Sequence, residues 1–387
     1  MTDINADATI TSNIAETTAN GLTYMADNVD VIIAAGVLVA SRDGAGALSN
    51  FSNSTLINNG SIIAGDFTIT RYGVAFVGNG AVTNNASGLI VGHTGVYVDN
   101  GAFDIVNHGQ IFGMVASGVL LATSGGTTLT NDGEIFGELN GVSVATGVTD
   151  GSTIRNSGLI HSDQYGVRID NTGLTTIIEN FAHGVIRGDV AAIHTTNGSL
   201  SLTNRGTLQG GIDCDDLSGA DVVTNRGKII GEVHLGGGAD SFNGKVGTSG
   251  AVFGEAGNDR LIGSAGKNML VGGLDKDTMA GGNGADKFVF NDVLDSVVGA
   301  NRDSITDFNH SQHDRIDLHL IDANTILGGD QAFKFIGKQQ FHDAAGELRV
   351  AKQGKSVIVS GDVDGDGVAD FQIQVHAAGL VKSDFIL

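Results

Sequence analysis

Short apolar runs recur along the first two-thirds of the chain, each opened by an asparagine and broken by glycine. The unit is N-x-G-x-I-x-G. It begins at Asn58 (NNGSIIAG), Asn107 (NHGQIFG), Asn131 (NDGEIFG), Asn156 (NSGLIHS), Asn204 (NRGTLQG) and Asn225 (NRGKIIG). Asn84 and Asn180 open copies with a two-residue insertion, so successive asparagines lie 26, 23, 24, 25, 24, 24 and 21 residues apart. A second element, G-V-x-apolar, follows at Gly73, Gly95, Gly118, Gly141 and Gly166. A period near 24 built from β-branched strands and glycine corners predicts a parallel β-helix, one repeat per coil. A single coil cannot bury its apolar face, so the coils stack. Stacking predicts an inward column through Ile62, Ile111, Ile135 and Ile160. It also predicts a ladder of asparagines bonded amide to amide, which assigns them to structure and not to a ligand.

The pattern changes between Gly254 and Phe290. Four nine-residue units follow without a gap: GEAGNDRLI, GSAGKNMLV, GGLDKDTMA and GGNGADKFV. Each fits G-G-x-G-x-D-x-U-x, with U a large apolar residue, here Leu261, Leu270, Met279 and Phe288. That pattern is the calcium-binding nonapeptide of parallel β-rolls. A hard cation takes six to eight oxygens. Glycines turn the backbone tightly enough to aim carbonyls inward, and the acid adds a charged oxygen. The candidate ligand turns therefore contain Gly254, Gly257, Asp259, Gly263, Gly266, Asn268, Gly272, Gly273, Asp275, Asp277, Gly281, Gly282, Gly284 and Asp286. LGGGADSFN (Leu235–Asn243) reads as an earlier nonamer and adds Gly238 and Asp240. Gly244–Phe253 is a degenerate ten-residue unit with Ser249 at the acid position. Two nonamers make one coil, so Asp240, Asp259 and Asp277 fall on one edge. Ser249, Asn268 and Asp286 fall on the other, which has lost charge at two places.

This block resembles the RTX family of bacterial exoproteins. Downstream, DSITDF (Asp303–Phe308), DRIDL (Asp314–Leu318), GDQAFKFIG (Gly329–Gly337), AGELRV (Ala345–Val350), GDVDGDGVADFQI (Gly361–Ile373) and DFIL (Asp384–Leu387) resemble the C-terminal domain of serralysin-type proteases. The resemblance covers Leu235 to the end. It implies folding in external Ca²⁺ and export by a type I ABC machine that reads an uncleaved C-terminal signal. The protease chemistry is not implied, because no HExxH string occurs. Asp303 and Asp307 stand where they could complete the last site of the roll. Asp362, Asp364, Asp366 and Asp370 spell D-x-D-x-D-G-x-x-D, like the opening of an EF-hand loop, but Ile373 stands where its bidentate glutamate belongs. A calcium site and a solvated acidic turn both remain open there.

The expected architecture is all-β. A right-handed parallel β-helix over 51–234 continues into an RTX calcium β-roll over 235–290, behind an N-terminal cap at 1–50 and before an antiparallel, serralysin-like cap at 291–387. Coil length falls from 24 to 21 to 18, which predicts one stack of narrowing cross-section.

Composition narrows the function. The net charge is −22, against nucleic acid and anionic membranes as partners. Cys214 is the only cysteine, so no internal disulfide forms. The N-terminal stretch carries no basic n-region, and VIIAAGVLVA (Val31–Ala40) is too short to span a bilayer. Together with the export that the RTX resemblance implies, this makes the expected protein secreted and extracellular, with no transmembrane segment: a structural, adhesive or surface- or matrix-associated component. The alternative is a polysaccharide lyase or C5-epimerase on acidic glycans. The chain has no tryptophan and four tyrosines, so it is poor in sugar-stacking platforms. If that alternative holds, the residues after the inward valines predict an outward column of Tyr97, Leu120, Ser143, Arg168, His194, Asp213 and His234. Its last four members would supply a cation and a base.

Overall fold

Buried and exposed residues alternate along the strands of this molecule, so each coil turns one apolar row inward. The computed structural model describes residues 2–16, 19–65, 70–122, 125–145, 151–170, 173–215 and 218–387. Contacts divide the chain into two units, Met1–Cys214 and Asp215–Leu387.

In the first unit every coil has three faces. One parallel sheet runs through Tyr72–Val77, Thr94–Asp99, Ser117–Ala122, Asn140–Val144, Tyr165–Ile169 and Ala191–Thr195. A second runs through Ser54–Asn58, Gly80–Asn84, Phe103–Asn107, Thr127–Asn131, Thr153–Asn156, Thr175–Asn180 and Ser199–Asn204. The third runs from Ser61–Ala64 to Thr207–Gln209 and carries the repeat's isoleucine. Ile62, Ile90, Ile111, Ile135, Ile160, Ile186 and Leu208 form its inward column, all fully buried.

The asparagines stand at the corner between the second and third faces and bond coil to coil. Each Nδ2 donates to the next Oδ1: Asn58 to Asn84 at 2.7 Å, Asn84 to Asn107 at 2.8 Å, Asn107 to Asn131 at 2.7 Å, Asn131 to Asn156 at 2.8 Å, Asn156 to Asn180 at 2.9 Å and Asn180 to Asn204 at 2.8 Å.

Where an N-terminal cap was expected, the described residues 2–16 and 19–49 pair as coils of the same kind. Thr2–Ile4 pairs in parallel with Leu22–Tyr24, Ala8–Ile10 with Asp30–Ile33, and Ile14–Glu16 with Leu38–Ser41. The asparagine is missing from them because Ile33, in register with Asn58, fills that place with an apolar side chain.

In the second unit the third face is reduced to Lys228–Ile230, and later coils have two. One face stacks Val222–Asn225, Ser241–Asn243, Arg260–Ile262, Thr278–Ala280 and Ser304–Ile305. The other stacks Val233–His234, Val252–Ala256, Met269–Leu274, Lys287–Val289 and Arg315–Asp317. Leu261, Leu270, Met279 and Phe288 fill the thin core between them, joined by Phe242, Ile305 and Ile316. The roll thus runs past Phe290 to Asp317. DSITDF and DRIDL belong to it because Asp303–Ile305 and Asp314–Ile316 repeat the D-x-U step.

Beyond the roll the cap is not wholly antiparallel as expected: Lys334–Gly337 pairs in parallel with the first strand of an antiparallel meander of Glu347–Gln353, Ser356–Asp362 and Phe371–Val375. Its last strand and Phe385–Ile386 pair in parallel with Ser304–Ile305 and Arg315–Asp317. The cap continues both roll faces by one strand each, which takes up backbone groups that an open edge would present.

Candidate metal centre

At the turns of the roll the acid positions become a buried ladder. The Asp221 N–H donates to Asp240 Oδ1 at 2.7 Å, the Asp240 N–H to Asp259 at 2.8 Å, the Asp259 N–H to Asp277 at 2.8 Å and the Asp277 N–H to Asp303 at 2.9 Å. On the opposite edge the Asn268 N–H donates to Asp286 Oδ1 at 2.9 Å, and the Asp286 N–H to Asp314 at 3.0 Å. One oxygen of each carboxylate therefore holds the neighbouring turn.

The second oxygen is the telling one. Oδ2 of Asp259, Asp277, Asp286 and Asp303 is buried and receives no hydrogen bond. An unpaired buried charge is costly. Burial accordingly pushes the Asp259 carboxyl up to about 6, Asp277 to about 8 and Asp303 to about 9, with neighbouring carboxylates adding to the rise. Asp286 and Asp314 are raised for the same first reason.

Glycine keeps space beside those oxygens. A Cβ on Gly254 would stand 2.3 Å from Asp259 Oδ2, one on Gly272 2.2 Å from Asp277 Oδ2, and one on Gly281 2.3 Å from Asp286 Oδ2. Gly257 shows the other glycine role. Its φ is +123°, and a Cβ there would meet the Gly238 carbonyl oxygen at 1.6 Å. Gly238, Gly273, Gly282 and Gly284 share that positive φ and the same close approach between coils. The donors around these turns are carboxylate and carbonyl oxygens, the set a hard cation such as Ca²⁺ takes. Unpartnered buried oxygens, glycine cradles and an oxygen-only donor set together fit the ion.

Other candidates take different places. Asp275 is exposed at φ +77°, and its charge raises both Asp259 and Asp277. Asp307 spends both oxygens on the turn, accepting the Gly281 and Gly282 N–H groups at 2.9 Å each. Asn268 keeps Gly263 and Gly266 beside it but turns its amide nitrogen toward them, at 2.6 Å from the Gly266 carbonyl. Asp314 was missed from sequence; the signal is Asp314-Arg315-Ile316, a copy of Asp259-Arg260-Leu261. Its two oxygens accept the Asp286 and Asn309 N–H groups.

In the meander loop, Asp362, Asp364 and Asp366 each bring one oxygen within 4.8 Å of the others. All three also hold their own loop. Asp362 accepts from Gly365 and Gly367, Asp364 from Asp366, and Asp366 from Val368. Asp370 accepts the Val363 N–H at 2.7 Å.

The column expected to face outward is in register within the first unit, but its members Ser143 and His194 are buried: Tyr97 lies opposite Leu120, Leu120 opposite Ser143, Ser143 opposite Arg168, Arg168 opposite His194, His194 opposite Asp213. Its groups are engaged locally. Arg168 Nε donates to Asp170 at 3.0 Å, and His194 Nδ1 lies 3.1 Å from Asp213. His194 stacks on Tyr165 and is only 5% exposed. In the second unit, His234 stacks on Phe253 between Glu255 and Glu232. Burial opposes its protonation, but hydrogen bonds to the two glutamates outweigh that and hold it above its usual value.

A model of the M10 peptidase serralysin C-terminal domain matches residues 134–387, about two-thirds of the chain. The chain belongs to this family. Its repeats are of the serralysin RTX type, whose members are known calcium binders, in keeping with the ladder above. Among solved structures, the AlgE6R2 subunit of the Azotobacter vinelandii mannuronan C5-epimerase is 24% identical, over 42% of this chain and 88% of its own, with a TM-score of 0.25. The AlgE6R3 subunit of the same enzyme is 26% identical, over 43% and 80%, with a TM-score of 0.24. Scores this low add nothing to the fold assignment, which rests on the strand pairing and the family match. No curated protein matches the chain. Among the described residues, no helix is long and apolar enough to cross a membrane.

Proposed function

We propose that this chain is a secreted, extracellular β-solenoid whose C-terminal roll is stabilised by Ca²⁺, and that its role is structural, adhesive or surface-associated. One observation carries the reading: the unpartnered, buried Oδ2 atoms of Asp259, Asp277, Asp286 and Asp303 beside their glycine cradles. These carboxylates cost stability as buried charges and contribute it once a cation joins them. Such a protein stays loosely folded where free calcium is scarce and sets outside the cell. That order of events suits a type I ABC exporter reading the C-terminal segment.

The alternative, a lyase or epimerase on acidic glycans, would draw on Arg168, His194 and Asp213. Their polar groups are taken up by one another or by Asp170, and His194 is nearly closed to solvent. That arrangement favours a cross-coil polar ladder over a substrate-facing set.

Calorimetric titration of the full chain with CaCl₂, with MgCl₂ as control, tests the reading. Saturable calcium binding accompanied by a rise in melting temperature is expected. Absence of binding at millimolar calcium would overturn it. For the route, deletion of the last few dozen residues should leave the protein inside a host carrying a type I exporter. Continued secretion of that truncation would contradict it.

A further inference from the structure

The two edges of the roll solve the same problem with different atoms. Where Asp259 sets an unpartnered oxygen beside Gly254, Asn268 sets its amide nitrogen beside Gly263, which a Cβ would approach to 3.0 Å. Four oxygens surround that nitrogen. They are the carbonyls of Gly266 at 2.6 Å, Ser264 at 3.2 Å and Gly281 at 3.2 Å, and Asp286 Oδ1 at 3.0 Å. An amide has only two hydrogens, so the cage holds more acceptors than its occupant can serve, as a cation cage does. The amide oxygen is committed elsewhere, accepting the Ser264 N–H and Oγ–H at 3.0 Å each. Turning the side chain over would aim that oxygen at three carbonyls and strand the Ser264 donor. Asn268 is buried, so water does not take over either role.

We propose that Asn268 is a built-in substitute for a cation. The turn Gly263–Asn268 closes without metal, while the aspartate turns, Gly281–Asp286 on its own edge included, require it. The inference rests on the calcium reading above. It makes the roll a mixed stack, with one permanently closed turn from which the calcium-dependent turns can order. It also makes the metal count a property of a single side chain.

The experiment compares the full-length wild type with Asn268→Asp and Asn268→Ala, using calcium alone as the probe in isothermal titration and in melts with CaCl₂ or EGTA. Asn268→Asp should bind one more calcium per chain than the wild type. It should melt lower in EGTA and recover in calcium. Asn268→Ala should keep the wild-type stoichiometry and lose a similar number of degrees in both buffers, because it removes a donor and no ligand. If Asn268→Ala binds one calcium fewer, Asn268 is an ordinary ligand and the proposal fails. If Asn268→Asp folds and its stoichiometry is unchanged, the cage is no cation site and the proposal fails as well. Should Asn268→Asp not fold, the alanine variant alone decides. A wild type that binds no calcium would instead remove the functional reading itself.

Discussion

Both units carry a ladder of buried polar side chains, from Asn58 to Asn204 in the first and from Asp259 to Asp303 in the second, and the two ladders differ in one functional group. In the first unit the stacked residue is asparagine, which donates to the next coil and accepts from the previous one. The chain of amides from Asn58 to Asn204 closes on itself and stays neutral. In the second unit the stacked residue is aspartate, which only accepts. At Asp259, Asp277 and Asp303 one oxygen takes a backbone N–H and the other is buried without a hydrogen bond. An amide ladder is complete when the protein folds; a carboxylate ladder is complete when an ion arrives. On the calcium reading proposed above, whether a ladder calls for an ion is set by which atom ends the side chain, within otherwise similar parallel coils.

Exchanging the end groups breaks the comparison most severely. Asn131→Asp would keep the bond from Asn107 but replace the donor to Asn156 with a charged oxygen, buried against another acceptor. A loss of about 3–5 kcal/mol in the first unit is expected, read as a lower first melting transition that added calcium does not rescue. Rescue by calcium would mean that the corner geometry, not the end group, makes the site.

The reverse exchange sharpens it. Asp277→Asn keeps an oxygen for the Asp259 N–H and removes a carboxyl that must take up a proton to be buried without metal. It should stabilise the metal-free second unit by about 1–3 kcal/mol and destabilise the calcium-loaded one. Paired melts in EGTA and calcium read the change of sign. A loss of equal size in both buffers would contradict it.

Proton competition is the gentlest probe. The carboxyls of Asp277 and Asp303 rise from 3.8 to about 8 and about 9 on metal-free folding. Between those limits the folded roll holds protons that the unfolded chain has released. The contribution of these two groups to the stability of the metal-free roll is therefore fully present below about pH 4 and falls as pH rises through the window. Calcium displaces the same protons, so its apparent affinity should weaken by about tenfold per pH unit for each proton displaced as pH falls from 8 to 6. Titrations at both pH values check this; pH-independent affinity would show that these carboxylates are not the ligands.

Much of this was legible in sequence because spacing survives as stacking. Asparagines 23 to 26 residues apart became bonded neighbours, and nonamer acids 18 apart became the rungs of Asp259–Asp277 and Asn268–Asp286. Legibility failed where the period was masked. Asp277 reaches Asp303 across 26 residues and Asp286 reaches Asp314 across 28, because inserted loops lengthen the last coils, and the roll therefore looked finished at Phe290. The first coils were hidden for a different reason: Ile33 holds the asparagine's place, so the marker residue is missing while the strand pairing persists. Which way an amide or carboxylate turns is not encoded in spacing at all. Asn268 and Asp307 looked like ligands by position, and their orientation shows the first donating and the second capping a turn.

Amide hydrogen exchange with mass spectrometry, on the full chain in CaCl₂ and in EGTA, compares the two ladders in one molecule. Removal of calcium should sharply lower protection at the aspartate turns of the roll, those of Asp259 and Asp277 first, while the Asn268 turn and the asparagine coils from Asn58 to Asn204 stay protected. Equal protection of the roll in both buffers, or loss of the two ladders together, would contradict the account.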